Sequence, residues 1–551
     1  MRDRAFFFSF SVSLAWATLQ SLAVSAAGYS LAVLMYESPR ARGWVYASLL
    51  VPWGIPAIMA VPLWRMIIHG AGGDSILSAF LGLRTNLLTD VPASFLASIF
   101  VSSWMRLPAA VFVIYGALRK LPSTTIDAAR LDGADRIRLS GKMYWPLVRS
   151  SVVSAFALEF AAGFKEFGVP FLLTAGGPPL VGGITERTVL GATTTLEIYL
   201  YDLFRGAEDY GLASAYAAVV GLAVAILAAL AFLVGRGGRD EADARRGAPR
   251  PPRAGPPRRG LEVLSRLEAV PRMIGRAASD LLLAFRGTLA LIMGLSSLLL
   301  VYSLLRAAFS GLSSAYIDSF LPPFPTSAAF GEIFTEDGIG RTFANTLLVS
   351  AITAILCPLL VLPAALRLRS AKPGTKALVF GLVQALGAAA GMHSLLPLYG
   401  IFLSLGLVGG YIPIVIIYLF HAAPFSLFVA TAFLEGLPRS LEESAGLEGA
   451  GKARVFASIL LPLSLPAAAV AAMSAFLAAW NGFLVPLLFI DDDSKYTIAL
   501  RLYGYVGSLA SGAPLWNRFA AACLVNLALI SIVLWRFKNP LGRAPLSEHD
   551  E

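Results

Sequence analysis

The chain alternates long apolar runs with short polar segments, and this alternation predicts a series of membrane-spanning helices. Each run reaches the roughly 20 residues that a helix needs to cross the hydrocarbon of a bilayer. No run alternates apolar and polar positions one by one, which excludes a membrane β-barrel. The eleven runs lie near residues 6–36, 44–68, 91–118, 147–174, 210–234, 287–309, 343–367, 377–405, 411–434, 462–490 and 516–536.

Composition agrees with this pattern. Of the 551 residues, 57% are hydrophobic and 14% are charged, and the mean hydropathy is +0.71. A soluble chain of this length carries about a quarter charged residues. The sequence therefore predicts an all-α polytopic membrane protein with about 11 transmembrane helices. Cys357 and Cys523 lie inside apolar runs, so we expect neither a disulfide framework nor a metal site.

One basic segment, residues 236–286, divides the chain into two halves. Its first part, "GRGGRDEADARRGAPRPPRAGPPRRG" at residues 235–260, is rich in Pro and Arg and has too few apolar residues to bury a core. We interpret it as a solvated cytoplasmic tether rather than as a nucleic-acid-binding arm. The predicted domains are a first half at 1–235, this linker, a second half at 287–540 and a cytoplasmic tail at 541–551.

The net charge of +10 is concentrated in alternate loops, which places those loops in the cytoplasm. Five helices in the first half, with loop 119–146 inside, then put the N-terminus outside. Arg2 and Arg4 disagree with that orientation, although two charges are a weak signal. We therefore expect that the first half lacks one helix relative to the second, or that an upstream segment precedes the sequence.

The stretch "AGLEGAGKAR" at 445–454 resembles a phosphate-binding loop, because Gly446, Gly451 and Lys452 match most of that motif. Ala453 stands where the motif needs a hydroxyl for magnesium, and no predicted strand precedes the stretch. We therefore expect no ATP or Mg²⁺ site on this chain.

An internal repeat explains the same stretch better. The segment "ALRKLPSTTIDAARLDGADRIRLSGKMYWPL" matches "AFLEGLPRSLEESAGLEGAGKARVFASILLPL", and paired positions are 316 residues apart without a gap. The register extends from Pro108 with Pro424 to Pro170 with Pro486. Six apolar runs separate the two copies, and an even number returns the chain to the same side. The halves are therefore predicted to be parallel repeats rather than inverted ones.

Each repeated loop is predicted to form a short helix with defined ends. Pro122 and Pro438 suit a first helical turn, and Gly133 and Gly449 suit a left-handed C-terminal cap. The small residues between them leave a shallow face that another protein can approach. We take each loop as a docking element; its residues are Asp127, Ala128, Ala129, Asp132, Gly133 and Ala134 in the first copy and Glu443, Ser444, Ala445, Glu448, Gly449 and Ala450 in the second.

This acidic–small–small pattern, followed by an acidic residue, Gly and Ala, resembles the coupling-loop motif of ABC importer permeases. In the second copy Ser444 replaces Ala and Glu448 replaces the usual Asp. Segments such as "FGVPFLLTAGGP" and "AFLAAWNGFLVPLLFI" resemble the two subunits of maltose-type carbohydrate permeases, which are normally separate chains. The resemblance implies a fusion of both subunits in the cytoplasmic membrane. It also implies two cytoplasmic ATPase subunits that hold ATP and Mg²⁺, an extracytoplasmic solute-binding protein and a small-molecule substrate.

Ionisable groups inside a span are candidates for a substrate path. Arg106 and Glu159 both lie roughly 18 Å from the cytoplasmic face, at a rise of 1.5 Å per residue, and are predicted to be able to pair. Their counterparts are alanines, so the feature belongs to the first half. A buried ion pair that fixes helix packing is an equal alternative. Weaker candidates are Trp480, Asn481, His421 and Gln384.

We therefore expect a transport permease, not an enzyme, that imports a sugar, with an oligosaccharide the favoured cargo. Alternating access between the halves would be driven through loops 119–146 and 435–461. Iron, phosphate, polyamine or glycerol phosphate remains an alternative cargo for the same class. An ion-coupled secondary carrier with parallel repeats is the alternative of another class.

Overall fold

The computed structural model describes residues 3–69, 87–132, 134–185, 188–224, 226, 269–311, 321–322, 324–388, 391–438, 440–507 and 514–542. Helices account for nearly all regular structure in these ranges, as the sequence predicts, apart from one short β-hairpin. Long apolar helices dominate because their backbone hydrogen bonds are satisfied within each segment, which a bilayer requires.

The first half begins with a long helix whose N-cap is Asp3, which accepts hydrogen bonds from the amides of Ala5 and Phe6. A π-helical turn, Leu139–Tyr144, lies within α6. The elements are α1 (Arg4–Glu37), α2 (Pro39–Gly54), α3 (Ala57–Ile68), α4 (Val91–Leu118), α5 (Ser123–Leu131), α6 (Arg136–Phe164), α7 (Gly168–Thr174), β1 (Pro179–Ile184), β2 (Val189–Gly191), α8 (Leu196–Tyr201) and α9 (Tyr210–Val224).

The second half opens with the longest helix of the described residues and then repeats the same order. A second π-helical turn, Phe456–Leu460, follows α17. The elements are α10 (Ala269–Ala308), α11 (Ala328–Thr335), α12 (Ile339–Arg369), α13 (Pro373–Ala388), α14 (Met392–Ser404), α15 (Tyr411–Glu435), α16 (Ser440–Leu447), α17 (Lys452–Val455), α18 (Leu465–Trp480), α19 (Leu484–Phe489), α20 (Ile498–Val506) and α21 (Trp516–Gly542).

From α1 in the first half and α12 in the second, the helices follow in the same order, and among the described residues the β-hairpin belongs to the first half alone. Helices α6 and α18 end at Phe164 and Trp480, which are 316 residues apart, and the π-helical turns keep nearly the same register. Helices α2 and α13 are both 16 residues long and both begin with proline. In each half, a hydroxyl on the first repeated helix accepts the first amide of a later helix: Ser13 from Leu196, and Thr346 from Ile498. The parallel repeat predicted from the sequence is therefore present in the fold.

Helix α10 has no counterpart among the described residues of the first half. It packs against α2 of the first half as well as α21 of its own half. Gly294 lets α10 approach closely, since a Cβ there would meet the ring of Trp44. Contacts of α3 with α20 and of α8 with α14 also join the halves. The core therefore runs through both halves as one body.

Four predicted apolar runs are broken rather than straight, and one of them, run 147–174, forms α6 and α7. Run 44–68 forms α2 and α3, which meet at 106°, with Pro56 at the break. Run 377–405 forms α13 and α14, and run 462–490 forms α18 and α19, with Gly482 between them. Within the described residues, seven helices are long and apolar enough to cross a membrane, or eight if the bent pair counts as one.

Two further boundaries differ from the sequence prediction. Helix α10 begins at Ala269, so it takes in the end of the predicted linker, where apolar residues such as Leu281 and Leu283 return. Helix α21 continues to Gly542, slightly beyond the predicted start of the tail. The central part of the linker and residues 543–551 lie outside the described residues.

Candidate functional site

The two repeated loops form matching helices, α5 and α16, which we call the loop helices. Backbone bonds end them in the same way: the amide of Ala134 donates to the carbonyl of Ala129 at 3.0 Å, and that of Ala450 donates to Ala445 at 2.9 Å. Gly449 has a φ of +83°, the left-handed conformation predicted for it. Gly133 lies outside the described residues. The shared cap gives both loops one shape at the same end of the molecule.

Most of the predicted docking residues are accessible. Side chains at the acidic and small positions are exposed on both loop helices: Asp127, Ala128, Asp132, Glu443, Ser444 and Glu448. Ala129, Ala134 and Ala450 are half-buried, while Ala445 is buried against Val455 and Leu460. Each loop helix therefore packs against neighbouring residues of its own loop through small apolar side chains, and it presents its acidic side chains to the outside.

One feature of the loop helices was not predicted from the sequence. Leu131 and Leu447 hold the same position in the two copies, and they are 89% and 91% exposed. Because the same exposed leucine recurs in both loop helices, it is a candidate contact for a partner that binds both. The repeat itself contained the signal, because "RLDGA" and "GLEGA" both place leucine before the acidic residue.

Buried arginines hold the base of each loop, which we call its foot: Ser140 in the π-helical turn after α5, and Leu437 just before α16. Arg286 of α10 is 1% exposed; its guanidinium donates to Ser140 Oγ at 2.7 Å and lies 3.4 Å from Glu37. Tyr29 donates to the carbonyl of Ser140 at 2.7 Å, so the π-helical turn beside the first loop is held from two helices. In the second half, Arg369 donates to the carbonyl of Leu437 at 2.6 Å, just before α16. Movement of either loop is thereby tied to long helices.

A charged cluster lies within the first half, where the sequence predicts a substrate path. Arg106 pairs with Glu159 at 3.6 Å, and its closer partner is Glu166 at 2.7 Å. Glu166 also accepts the amide of Val169, at the start of α7. The Arg106 side chain is 30% exposed, so the cluster is not sealed inside the protein. Glu166 was not predicted as a member of the cluster, because the apolar run 147–174 looks continuous in the sequence, whereas α6 ends at Phe164.

The weaker candidates make contacts elsewhere. Trp480 is 3% exposed, stacks on Phe476 and donates from its indole to Asn526 at 2.9 Å. Asn481 follows it at the end of α18, with Oδ1 buried and without a hydrogen-bond partner among the described residues. His421 lies beside Tyr418 in α15. The side chain of Gln384 is outside the described part of the chain.

A buried polar pair joins the two halves. Glu197 of α8 and His393 of α14 are both almost fully buried, and His393 Nδ1 lies 2.5 Å from Glu197 Oε1. The amide of Met392 donates to the other carboxylate oxygen. Nothing in the repeat register points to this pair, because it forms only when the halves pack together.

The β-hairpin projects from the end of the molecule opposite the loop helices. Val181 and Ile184 are almost fully exposed on β1. The hydroxyl of Thr188 donates to Asp202 Oδ2 at 3.0 Å and so ties the hairpin to the turn after α8. Burial raises the pKa of Asp202 to about 6, an increase that this hydrogen bond only partly offsets.

Comparison with known proteins agrees with the repeat. A family model described as "binding-protein-dependent transport system inner membrane component" matches residues 24–237 and again residues 378–539. The two matches fall on either side of the basic segment. They cover both loop helices and the charged cluster.

Three relatives each align with about two-fifths of the chain. The alpha-glucoside transport system permease protein AglG of Rhizobium meliloti is 29% identical over 41% of this chain and 60% of that protein. The trehalose/maltose transport system permease protein MalF of Thermococcus litoralis is 25% identical over 43% of this chain and 77% of that protein. The maltose/maltodextrin transport system permease protein MalF of Klebsiella aerogenes is 26% identical over 41% of this chain and 45% of that protein. The chain thus spans less than two thirds of two of them. A crystal structure of a bacterial ABC transporter involved in the import of the acidic polysaccharide alginate matches with a TM-score of 0.38 and 18% identity, over 48% of this chain and 97% of that chain.

Proposed function

Because this chain belongs to the binding-protein-dependent transport system inner membrane components, with two copies of the family's domain, we propose that it is a fused ABC importer permease for a sugar. The sugar assignment rests on relatives whose names specify alpha-glucoside, trehalose and maltose transport. Separate ATPase subunits and a solute-binding protein complete the proposed importer. The protein is a multi-pass component of the cytoplasmic membrane.

The observation that carries this proposal is the pair of loop helices. Two similar helices at one end of a pseudo-symmetric molecule suit a pair of identical ATPase subunits. Exposed acidic side chains and the apolar tips Leu131 and Leu447 provide the contact surface. Burial of these leucines in a contact would favour binding, because it removes apolar surface from water.

Closure of the ATPase pair would then reach the membrane helices through the feet of the loops. Arg286 links the first foot to α10, which belongs to the other half, and Arg369 links the second foot to α12. Because these side chains are buried and hydrogen bonded, a displaced loop helix moves long helices rather than swinging freely. Alternating access between the halves is the motion that this arrangement supports.

The charged cluster is the proposed point of contact for the sugar. Sugar hydroxyls both donate and accept hydrogen bonds, and Arg106 with Glu159 and Glu166 offers both functions in one place. Paired charges also keep the net charge of the cluster small, which suits a neutral solute. An oligosaccharide is the favoured cargo within this class.

Reconstitution tests the proposal. The chain would be inserted into proteoliposomes with the ATPase and solute-binding protein encoded beside its gene, and uptake of labelled maltose and trehalose would be measured with and without ATP. ATP-dependent uptake supports the proposal. Uptake driven by an ion gradient without the ATPase would instead establish a secondary carrier, and ATP-dependent uptake of phosphate or iron alone would overturn the sugar assignment.

A further inference from the structure

An apolar groove opens on the membrane-facing side of the second half. It encloses about 420 Å³ between α12, α13 and α15, and we call it the α12–α15 groove. Its lining includes Leu360, Ala364, Val383, Phe420, Ala423 and Leu427. Phe420 and Leu360 are each 63% exposed, so the groove is open along its side.

The equivalent surface of the first half is covered. Trp104 is the counterpart of Phe420, 316 residues earlier, yet it is 3% exposed because α10 lies over it. Its indole donates to Ser296 Oγ of α10 at 2.9 Å. Ser297 of the same helix donates to the carbonyl of Ser48 at 3.0 Å. Because the two halves are similar, the groove corresponds to a surface of the first half that α10 covers. In the second half this surface is not covered.

The side chains that line the groove favour one of two possible occupants, a membrane helix or the acyl chain of a lipid. A helix docks on the first half through hydroxyl hydrogen bonds, as membrane helices commonly do. In the second half, Phe420 replaces Trp104, so the indole donor that bonds Ser296 in the first half has no equivalent. The groove therefore keeps the shape of a packing surface without that polar anchor, which favours a flexible hydrocarbon chain over a helix.

Basic side chains lie at one end of the groove. Arg367 is three residues beyond Ala364 on α12, hence on the same helix face and about 5 Å further along the axis. Arg367 and Lys372 are exposed and form no ion pair with the described residues. Lys376 also lies there and pairs with Glu435 at 2.5 Å, where α15 leads into the second loop. Two cations thus remain free to meet an anion at the membrane surface.

We propose that the α12–α15 groove is a binding site for an anionic phospholipid of the cytoplasmic leaflet. One acyl chain fills the space between Ala364, Val383 and Ala423, and the phosphate group meets Arg367 and Lys372. The positive charge selects the lipid headgroup, because basic residues at the cytoplasmic surface attract anionic lipids. The groove supplies the shape that an ordinary basic loop lacks.

Native mass spectrometry of the purified full chain tests this site with phosphatidylglycerol and phosphatidylcholine of the same acyl composition. We expect preferential retention of phosphatidylglycerol. The double variant R367Q/K372Q should lose that preference, weakening phosphatidylglycerol binding by about thirtyfold, since each basic residue near an anionic lipid contributes about a factor of five. R536Q removes one exposed arginine of α21, which does not line the groove, and should keep the parent chain's preference for phosphatidylglycerol.

A second variant tests the acyl chain. Ala423→Trp fills the groove and should reduce retention of both lipids, and Ala364→Phe provides the same test from an exposed position if the first variant folds poorly. Equal retention of the two lipids by the parent chain would overturn the proposal. So would an unchanged phosphatidylglycerol preference in R367Q/K372Q, or unchanged lipid retention in a folded groove-filling variant. Co-purification of a membrane polypeptide that the groove-filling variants release would show that a helix occupies the groove instead.

Discussion

Leu131 and Leu447 occupy the same position on two loop helices 316 residues apart, and each leaves about nine-tenths of its surface in water. Neither supports the fold of this chain, since neither packs against it. An apolar side chain retained at such a position in both copies fits a contact that this polypeptide makes with something else. Their equivalence is the most direct structural reason to propose a paired partner.

Replacing either leucine with aspartate should weaken binding of the ATPase subunits. Burial of a leucine side chain contributes about 2 kcal/mol, which corresponds to roughly a thirtyfold change in affinity per site. Affinity would be measured by titrating the purified ATPase onto the permease in nanodiscs. Val181→Asp, on the exposed hairpin at the opposite end, is the control and should leave the affinity unchanged. Parent-like affinity in both leucine variants would contradict the docking role.

Substitution of Gly449 by valine should disrupt the second loop helix. Its φ of +83° costs an L-residue about 1–2 kcal/mol, and a β-branched residue more. We expect reduced ATPase-subunit association with normal membrane insertion, measured by co-purification, and the same result for Gly133→Val. Gly451→Ala is the control, because open space surrounds Gly451. Normal assembly of both valine variants would remove the support for a defined loop shape.

The repeat could be read from the sequence because Pro, Gly and acidic residues recur at fixed spacing, and those residues determine local helix ends. Breaks within apolar runs could not be read in the same way. The run 462–490 looks like one span in composition, yet it bends beside Gly482, where the side chain of Tyr418 occupies the space a Cβ would need. Composition records how apolar a segment is, not where its backbone turns.

Contacts between the halves could not be predicted from the sequence either. Ser296 and Trp104 are hydrogen bonded across 192 positions, and neither belongs to a motif. The Arg106–Glu159 pair was predicted from depth alone, because both lie a similar distance from the cytoplasmic end. Glu166 could not be predicted in this way, because its distance from the cytoplasmic face depends on where α6 ends. Long-range pairing thus follows from packing that no local pattern encodes.

Glu159→Gln distinguishes a substrate role from a packing role. Glu166 remains 2.7 Å from Arg106, so the arginine keeps its closer partner when Glu159 loses its charge. We expect the thermal midpoint to change little while substrate affinity, measured by uptake at varied sugar concentration, falls. Glu166→Gln should instead lower the thermal midpoint as well. Unchanged affinity with reduced stability in Glu159→Gln would favour the packing alternative.

Glu197→Ala should destabilise the joined halves. Removing one member of a buried polar pair leaves His393 and the Met392 amide without their acceptor, at a cost of about 3 kcal/mol. The loss would be measured as a lower thermal unfolding midpoint of the purified chain. Glu443→Ala removes an exposed carboxylate and is the control. Equal midpoints for the two variants would show that the pair does not stabilise the contact between halves.

Asp202 should make the stability of the hairpin end depend on pH. Its pKa is raised to about 6 by burial, above its usual 3.8, so the folded state favours the protonated carboxyl. The corresponding stabilisation is fully present below about pH 4 and is lost as pH rises through 6; a difference of this size corresponds to about 3 kcal/mol. Asp202→Asn removes the titration and should flatten this part of the profile, while Thr188→Val, which removes the hydroxyl donor, should raise the pKa of Asp202 further. The measurement is the thermal midpoint between pH 4 and 8 for the three proteins. Parallel curves for the parent and Asp202→Asn would show that burial of this carboxyl does not control the stability of the hairpin end.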